Sequence, residues 1–169
     1  MINFLKKHYS TLIVIALVGF VVVRQGPVWL NSFQQEGSGL AKVDALNLKG
    51  ESTLIPIPNK KAVYIFWTSW CSPCHVQLDF FKKAVIANKL DSHQVIAVNL
   101  GETIDRVNEF QNQKQYPFPV VIVPPKFSWK TFHVMATPTI AYVTEDGVIA
   151  DFSSGLSPLA VFHSQQFLK

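Results

Sequence analysis

Cysteine is nearly absent from this chain of 169 residues, which holds only Cys71 and Cys74. Two cysteines cannot build a disulfide framework, so a hydrophobic core has to hold the fold. Charge is also sparse: charged residues make up 15% of the chain and the net charge is +4. The basic residues are scattered, with no stripe and no Arg-rich run, so the footprint of a nucleic-acid binder is missing. There is no internal repeat and no low-complexity tract. Hydrophobic residues reach 49% and aromatic residues 12%. That is too apolar for disorder, and it supplies the core of one domain.

The chain is organised around the stretch from Ala62 to Val85. Ala62 to Trp67 is a continuous apolar and aromatic run, the pattern of a strand buried on both faces. Thr68-Ser69 breaks it. After the cysteines the period changes: Cys74, Leu78, Phe81 and Val85 fall at helical spacing, with Asp79, Lys82 and Lys83 between them. A strand therefore turns sharply into a helix, and Cys71 sits at the turn. A helix N-terminus carries unpaired N–H groups and a partial positive charge. Both favour a thiolate, so Cys71 is expected to ionise below the ordinary thiol range. Ser72 and Pro73 form the active-site turn, and Pro73 suits the first helical turn, where its missing N–H costs nothing. Cys74 lies one turn further in and less exposed. The reading is a nucleophile at Cys71 and a resolving thiol at Cys74.

Phe66-Trp-Thr-Ser-Trp-Cys-Ser-Pro-Cys74 resembles the F-W-x-x-W-C-x-P-C segment of thioredoxin-like proteins. Within them it is most similar to the membrane-anchored thiol:disulfide oxidoreductases of the TlpA/ResA/DsbE type, from Val43 onward. Ala136-Thr-Pro-Thr139 is similar to that family's cis-proline segment. The resemblance implies that Pro138 faces the active-site pair, that Thr137 offers backbone hydrogen bonds to a substrate peptide, and that Trp70 also binds substrate. The strand–helix–strand stretch between Asn99 and Pro119 resembles the unit that separates TlpA-like proteins from plain thioredoxin. Two departures stand out. Ile65 occupies the place of thioredoxin's buried Asp, and Gln77 the place of the Glu that TlpA-like reductases often carry. No carboxylate is expected beside the buried thiol, and Asp79 is expected to face solvent. Pro124-Pro125 replaces an Asp that often follows the family's F-P pair.

Upstream, Lys6 and Lys7 precede an uninterrupted apolar run from Thr11 to Val23, about 13 residues closed by Arg24. A spanning helix needs ~20 residues, and a signal peptide less. No small-residue cleavage site follows, Lys7 and Arg24 can snorkel, and Trp29 can sit at the outer interface. An anchor is therefore the preferred reading over a cleaved signal, with the lysines on the cytoplasmic side. Residues 1–30 are read as cytoplasmic tip and anchor, 31–42 as a polar linker and 43–169 as the domain. An edge strand is expected from Val43 to Leu48, with Lys49-Gly50 as its turn. Gln94 to Leu100 and Val120 to Val123 read as strands, Thr103 to Gln113 as a helix, and Phe127 to Val134 as a short helix. Asp146-Gly147 marks a hairpin between Thr139–Val143 and Val148–Phe152. Pro158 opens a last helix.

Two rival chemistries use the same residues. Cys71-Ser-Pro-Cys-His75 also spells the C-x-x-C-H of covalent haem attachment, with Met135, His93, His133 or His163 as a second axial ligand. Cys71, Cys74 and one His are also a possible Cu(I) grip. Haem attachment needs neither the Phe66-Trp67 strand nor the Thr137-Pro138 segment, so His75 reads first as a solvated helix residue. Copper carriers with this fold usually space their cysteines differently, and Pro73 favours a disulfide turn. The expected fold is α/β and thioredoxin-like, a central mixed sheet with helices on both faces behind one N-terminal transmembrane helix. The expected function is thiol–disulfide exchange outside the cytoplasmic membrane, without cofactor or metal. The resemblance implies a reductant, recharged by a membrane donor of the DsbD/CcdA kind and active in cytochrome c maturation; a disulfide-forming oxidant is the alternative.

Overall fold

The computed structural model describes residues 2–127 and 129–169, without the side chains of residues 2–8, 10 and 29. The roles expected of Lys6, Lys7 and Trp29 lie outside these described residues. Seven strands form one mixed sheet: β1 (Val43–Asn47), β2 (Ser52–Ile55), β3 (Ala62–Trp67), β4 (Val95–Leu100), β5 (Val120–Val123), β6 (Thr139–Val143) and β7 (Ile149–Ser154). Their spatial order is β2-β1-β5-β4-β3-β6-β7. β3, β4 and β5 are parallel neighbours, and all three are buried along their whole length. That is why each reads as a continuous apolar run, interrupted only by Asn99 in β4, instead of an alternating one. β6 and β7 form the antiparallel hairpin on the other side of β3, turned at Gly147 with φ 80.

α2 (Ser72–Ile86) and α3 (Ile104–Lys114) are the two crossovers of this parallel core. β3 to β4 and β4 to β5 step in the same direction, and right-handed crossovers then place both helices on one face. α4 (Ala160–Leu168) joins them there, with Ala160 in the same buried cluster as Leu78, Phe81, Val107 and Phe110. The sheet is thus flanked by helices, with α2, α3 and α4 on this face. The opposite face is covered by extended and turn segments that carry Leu40, Ile55, Phe132 and Val134. The expected helix from Phe127 to Val134 is absent among the described residues. A single 3₁₀ turn, Pro125–Phe127, is followed by turns closed by Val134 N–H donating to Trp129 O at 2.9 Å. The stretch after Pro124-Pro125 is too short to propagate a helix by itself.

Two further differences concern the N-terminal part. β2 completes a hairpin with β1, although the sequence pattern marks no strand there. The apolar helix α1 (Ile2–Gln35) continues through Pro27, well beyond Val23. Thr11–Gln35, 25 residues that include an 18-residue window of mean hydropathy 2.0, is long and apolar enough to cross a membrane, a test that a signal sequence also passes. Residues 31–35, read as linker, are its last turns. The residues after it are tied down. Gly37 N–H donates to Ile149 O and Ile149 N–H to Ser38 O, both at 2.8 Å, and Leu40 N–H donates to Gly147 O at 2.9 Å. These bonds pair the entry of β7, the outermost strand, whose backbone groups would otherwise be open. Asn31 Nδ2 of α1 donates to His133 O at 2.8 Å.

Candidate active site

β3 ends at Trp67, and a turn closed by Cys71 N–H to Thr68 O at 3.3 Å leads into α2. Cys71 is the N-cap of α2, with extended backbone at φ −88 and ψ 97. Its Sγ accepts the N–H of Cys74 at 3.2 Å. Sulfur thus takes the capping bond that a Ser or Asp oxygen normally accepts. The two sulfurs form a disulfide. Cys71 is 5% exposed and Cys74 0%. Ser72 and Pro73 are exposed on the first turn of α2.

The segment before β6 faces this pair. The Thr137–Pro138 bond is cis. Thr137 O lies 3.5 Å from Cys71 Sγ, an acceptor in place for the S–H of the reduced form. Pro138 is buried and Thr137 half-buried. Trp70 is 68% exposed, and its ring stacks on Trp129 with centroids 6.4 Å apart. Trp70, Cys71, Thr137 and Pro138 therefore converge at one end of β3 and β6, although 66 residues separate Cys71 from Thr137.

Residues with no assigned role in the sequence reading surround the turn. Ser69 N–H and Ser69 Oγ each donate to the Glu102 carboxylate at 2.6 Å. Asn99 Nδ2 donates to the same carboxylate at 2.5 Å, and Arg106 Nε donates to Ser69 Oγ at 3.1 Å. His75 is not a solvated surface residue. It is half-buried, its Nε2 lies 2.8 Å from Ser69 O, and its ring sits 4.7 Å from that of Phe110. Phe110 in turn packs on Trp67 at 5.0 Å. The one visible signal for this network was Asn99, a fully buried polar residue in an otherwise apolar strand. Asp79 is partly exposed and lies 3.8 Å from Lys114 Nζ. Gln77 is fully buried, with its Oε1 accepting Ser157 N–H at 2.8 Å. Among the described residues, no three His, Cys, Asp or Glu side chains are placed to hold a metal ion.

Residues 41–152 match the AhpC/TSA family. The chain belongs to that family. Within it, the chain is similar to the sporulation thiol-disulfide oxidoreductase A of Bacillus subtilis, 31% identical over 60% of this chain and 64% of that protein. It is also similar to the thiol-disulfide oxidoreductase ResA of Geobacillus kaustophilus, 23% identical over 85% of this chain and 83% of that protein. The match to the first spans less than two thirds of that protein's length. Among solved structures, StoA from Bacillus subtilis superposes with a TM-score of 0.64 at 27% identity, over 77% of this chain and 98% of StoA. StoA shares the fold of this chain, and the ResA-type resemblance of the Phe66–Cys74 segment is met by a relative of that name.

Proposed function

We propose that the protein is a thiol:disulfide oxidoreductase that reduces disulfides in substrate proteins through Cys71 and Cys74. The observation that carries this is the placement of Cys71 Sγ. It caps a helix N-terminus, where the Cys74 N–H and the helix field favour the thiolate. In the reduced form the Cys71 thiolate attacks one sulfur of a substrate disulfide, and the other substrate sulfur leaves as a thiolate. Cys74, losing its proton, then attacks Cys71 Sγ. The Cys71–Cys74 disulfide forms and the second substrate thiolate departs. The substrate gains two electrons, and two protons once both thiolates are neutralised. Thr137 O and the exposed Trp70 ring flank the attack site and suit an extended substrate segment.

Restoring the dithiol requires a dithiol donor. The family resemblance suggests a membrane carrier of the DsbD/CcdA kind and a role in cytochrome c maturation. Residues 1–30 are then the anchor, residues 31–42 the connection and residues 43–169 the catalytic domain, held outside the cytoplasmic membrane. The full chain in detergent is expected to reduce a model protein disulfide in the presence of a dithiol. Cys71→Ser abolishes this, whereas Cys74→Ser accumulates mixed disulfides because resolution is lost. Equal turnover by wild type and Cys71→Ser would sink the reading.

A further inference from the structure

Every polar group of Ser69 is occupied. Its N–H and Oγ are held by Glu102, its Oγ also accepts from Arg106 Nε, and its carbonyl meets His75 Nε2. Ser69 and Trp70 are the central residues of the turn that ends at Cys71. The peptide leading into Cys71 is therefore fixed from β4 and its loop, from α3 and from α2 together. The Glu102 carboxylate accepts three hydrogen bonds: two from Ser69 and one from Asn99, which is 0% exposed. Glu102 N–H also returns a bond to Asn99 Oδ1 at 3.2 Å. A carboxylate engaged in this way is anchored through both of its oxygens.

We propose that Glu102 is a positioning residue for the nucleophile. Through Ser69 it fixes the turn that sets Cys71 Sγ on the N-terminus of α2. It thereby couples the β4–α3 unit to thiol reactivity. The proposal rests on the reading of Cys71 as the nucleophile. It assigns Glu102 a different role from the proton-shuttling acid whose usual places hold Ile65 and Gln77. Three titratable or charged side chains surround the turn: His75 from α2, Glu102 from the loop after β4, and Arg106 from α3.

The test is the rate of iodoacetamide alkylation of Cys71 in the reduced full chain, followed against pH, for wild type, Glu102→Ala and Glu102→Gln. Gln keeps an oxygen for Ser69 N–H and Asn99, and its amide can donate to Ser69 Oγ. The expected result is that Glu102→Ala moves the midpoint of the profile upward. It also lowers the rate of protein-disulfide reduction by about tenfold or more, since all three hydrogen bonds to the carboxylate are lost and one to a charged group already carries about that factor, while Glu102→Gln stays close to wild type. A downward shift in both variants would identify a charge effect on the thiolate and overturn the positioning role. Unshifted profiles in both would also overturn it. Should Glu102→Ala lose the wild-type far-UV spectrum, Ser69→Ala decides. A smaller upward shift supports the proposal and a wild-type profile overturns it. Failure of wild-type Cys71 to alkylate faster than an ordinary thiol at neutral pH would instead strike the oxidoreductase reading itself.

Discussion

The two segments that meet at the disulfide are held in different ways. The turn from Thr68 to Cys71 is fixed by side chains that arrive from other elements: Glu102, Arg106 and His75, with Phe110 packed beneath. The segment around Thr137-Pro138 is fixed mostly from its own hairpin. Gly155 N–H donates to Pro138 O at 2.7 Å, Thr139 Oγ1 donates to Ala136 O at 2.6 Å, and Thr139 Oγ1 lies 2.8 Å from Ser154 Oγ. The first arrangement ties the Cys71 sulfur to α3 and β4, so substitutions there are expected to reach the proposed chemistry. The second is local, and damage to it stays local.

The largest test of this contrast is Phe110→Ala. Phe110 is 9% exposed and lies between Trp67 and His75, under the side-chain-held turn. Loss of a buried Phe side chain is expected to cost about 3–5 kcal/mol, read as a lowered denaturant midpoint. It should also slow disulfide reduction, measured under conditions where the variant remains folded. Unchanged turnover would mean that α3 carries no load for the site. Next in size is Thr139→Val, which removes both hydroxyl contacts in the hairpin-held segment. It should destabilise by about 1–2 kcal/mol through an unpaired carbonyl and hydroxyl. Turnover should change less than twofold, because Thr137 O is still presented. A loss as large as that of Cys71→Ser would erase the distinction between the two segments.

A third prediction concerns substrate contact. Trp70→Ala removes an exposed ring without touching the bonds to Ser69. It is expected to raise KM for a protein substrate several-fold and to leave alkylation of Cys71 by a small reagent near the wild-type rate. The reverse pattern would place Trp70 in the support of the turn instead of in binding.

The smallest effect compares buried tyrosines in the two strands that carry these segments. Tyr142 of β6 and Tyr64 of β3 are both raised above the ordinary value by burial, Tyr142 to about 12. Below pH 10.0 the hydroxyl of Tyr142 is neutral in the folded and the unfolded chain, and its contribution is complete. Between pH 10.0 and about 12 the unfolded chain loses this proton first, so stability falls as pH rises. Melting temperatures across that window should decline, and Tyr142→Phe should make the decline shallower. An identical slope in the variant would assign the loss to other groups.

Much of the fold was written in local pattern. β3, β4 and β5 are buried on both faces, and their apolar runs carry that information residue by residue. The turn into α2 was legible because the period changed at Cys71, and the β6–β7 hairpin because Asp146-Gly147 lies between two apolar runs, with Gly147 taking the positive φ the turn needs. β2 was missed because Ser52–Ile55 is short and half-exposed, and it is strand only by pairing with β1. The helix expected from Phe127 to Val134 did not form because the stretch is too short to propagate one, and it is held as turns instead.

By itself, the sequence determined where the redox pair lies, which sulfur caps the helix, and which apolar runs make the sheet. All of these depend on neighbours within a turn or two of chain. Only the tertiary structure decided that Thr137 O lies against Cys71, that His75 turns back to Ser69 O, and that Glu102 reaches Ser69 from 33 residues away. It also decided that residues 37–40 pair with the entry of β7 instead of forming a free linker. Each of these is a hydrogen bond or contact between groups brought together by sheet order and crossover hand. That information is absent from any local window, because a polar side chain shows no preferred partner until the strands have placed one within reach.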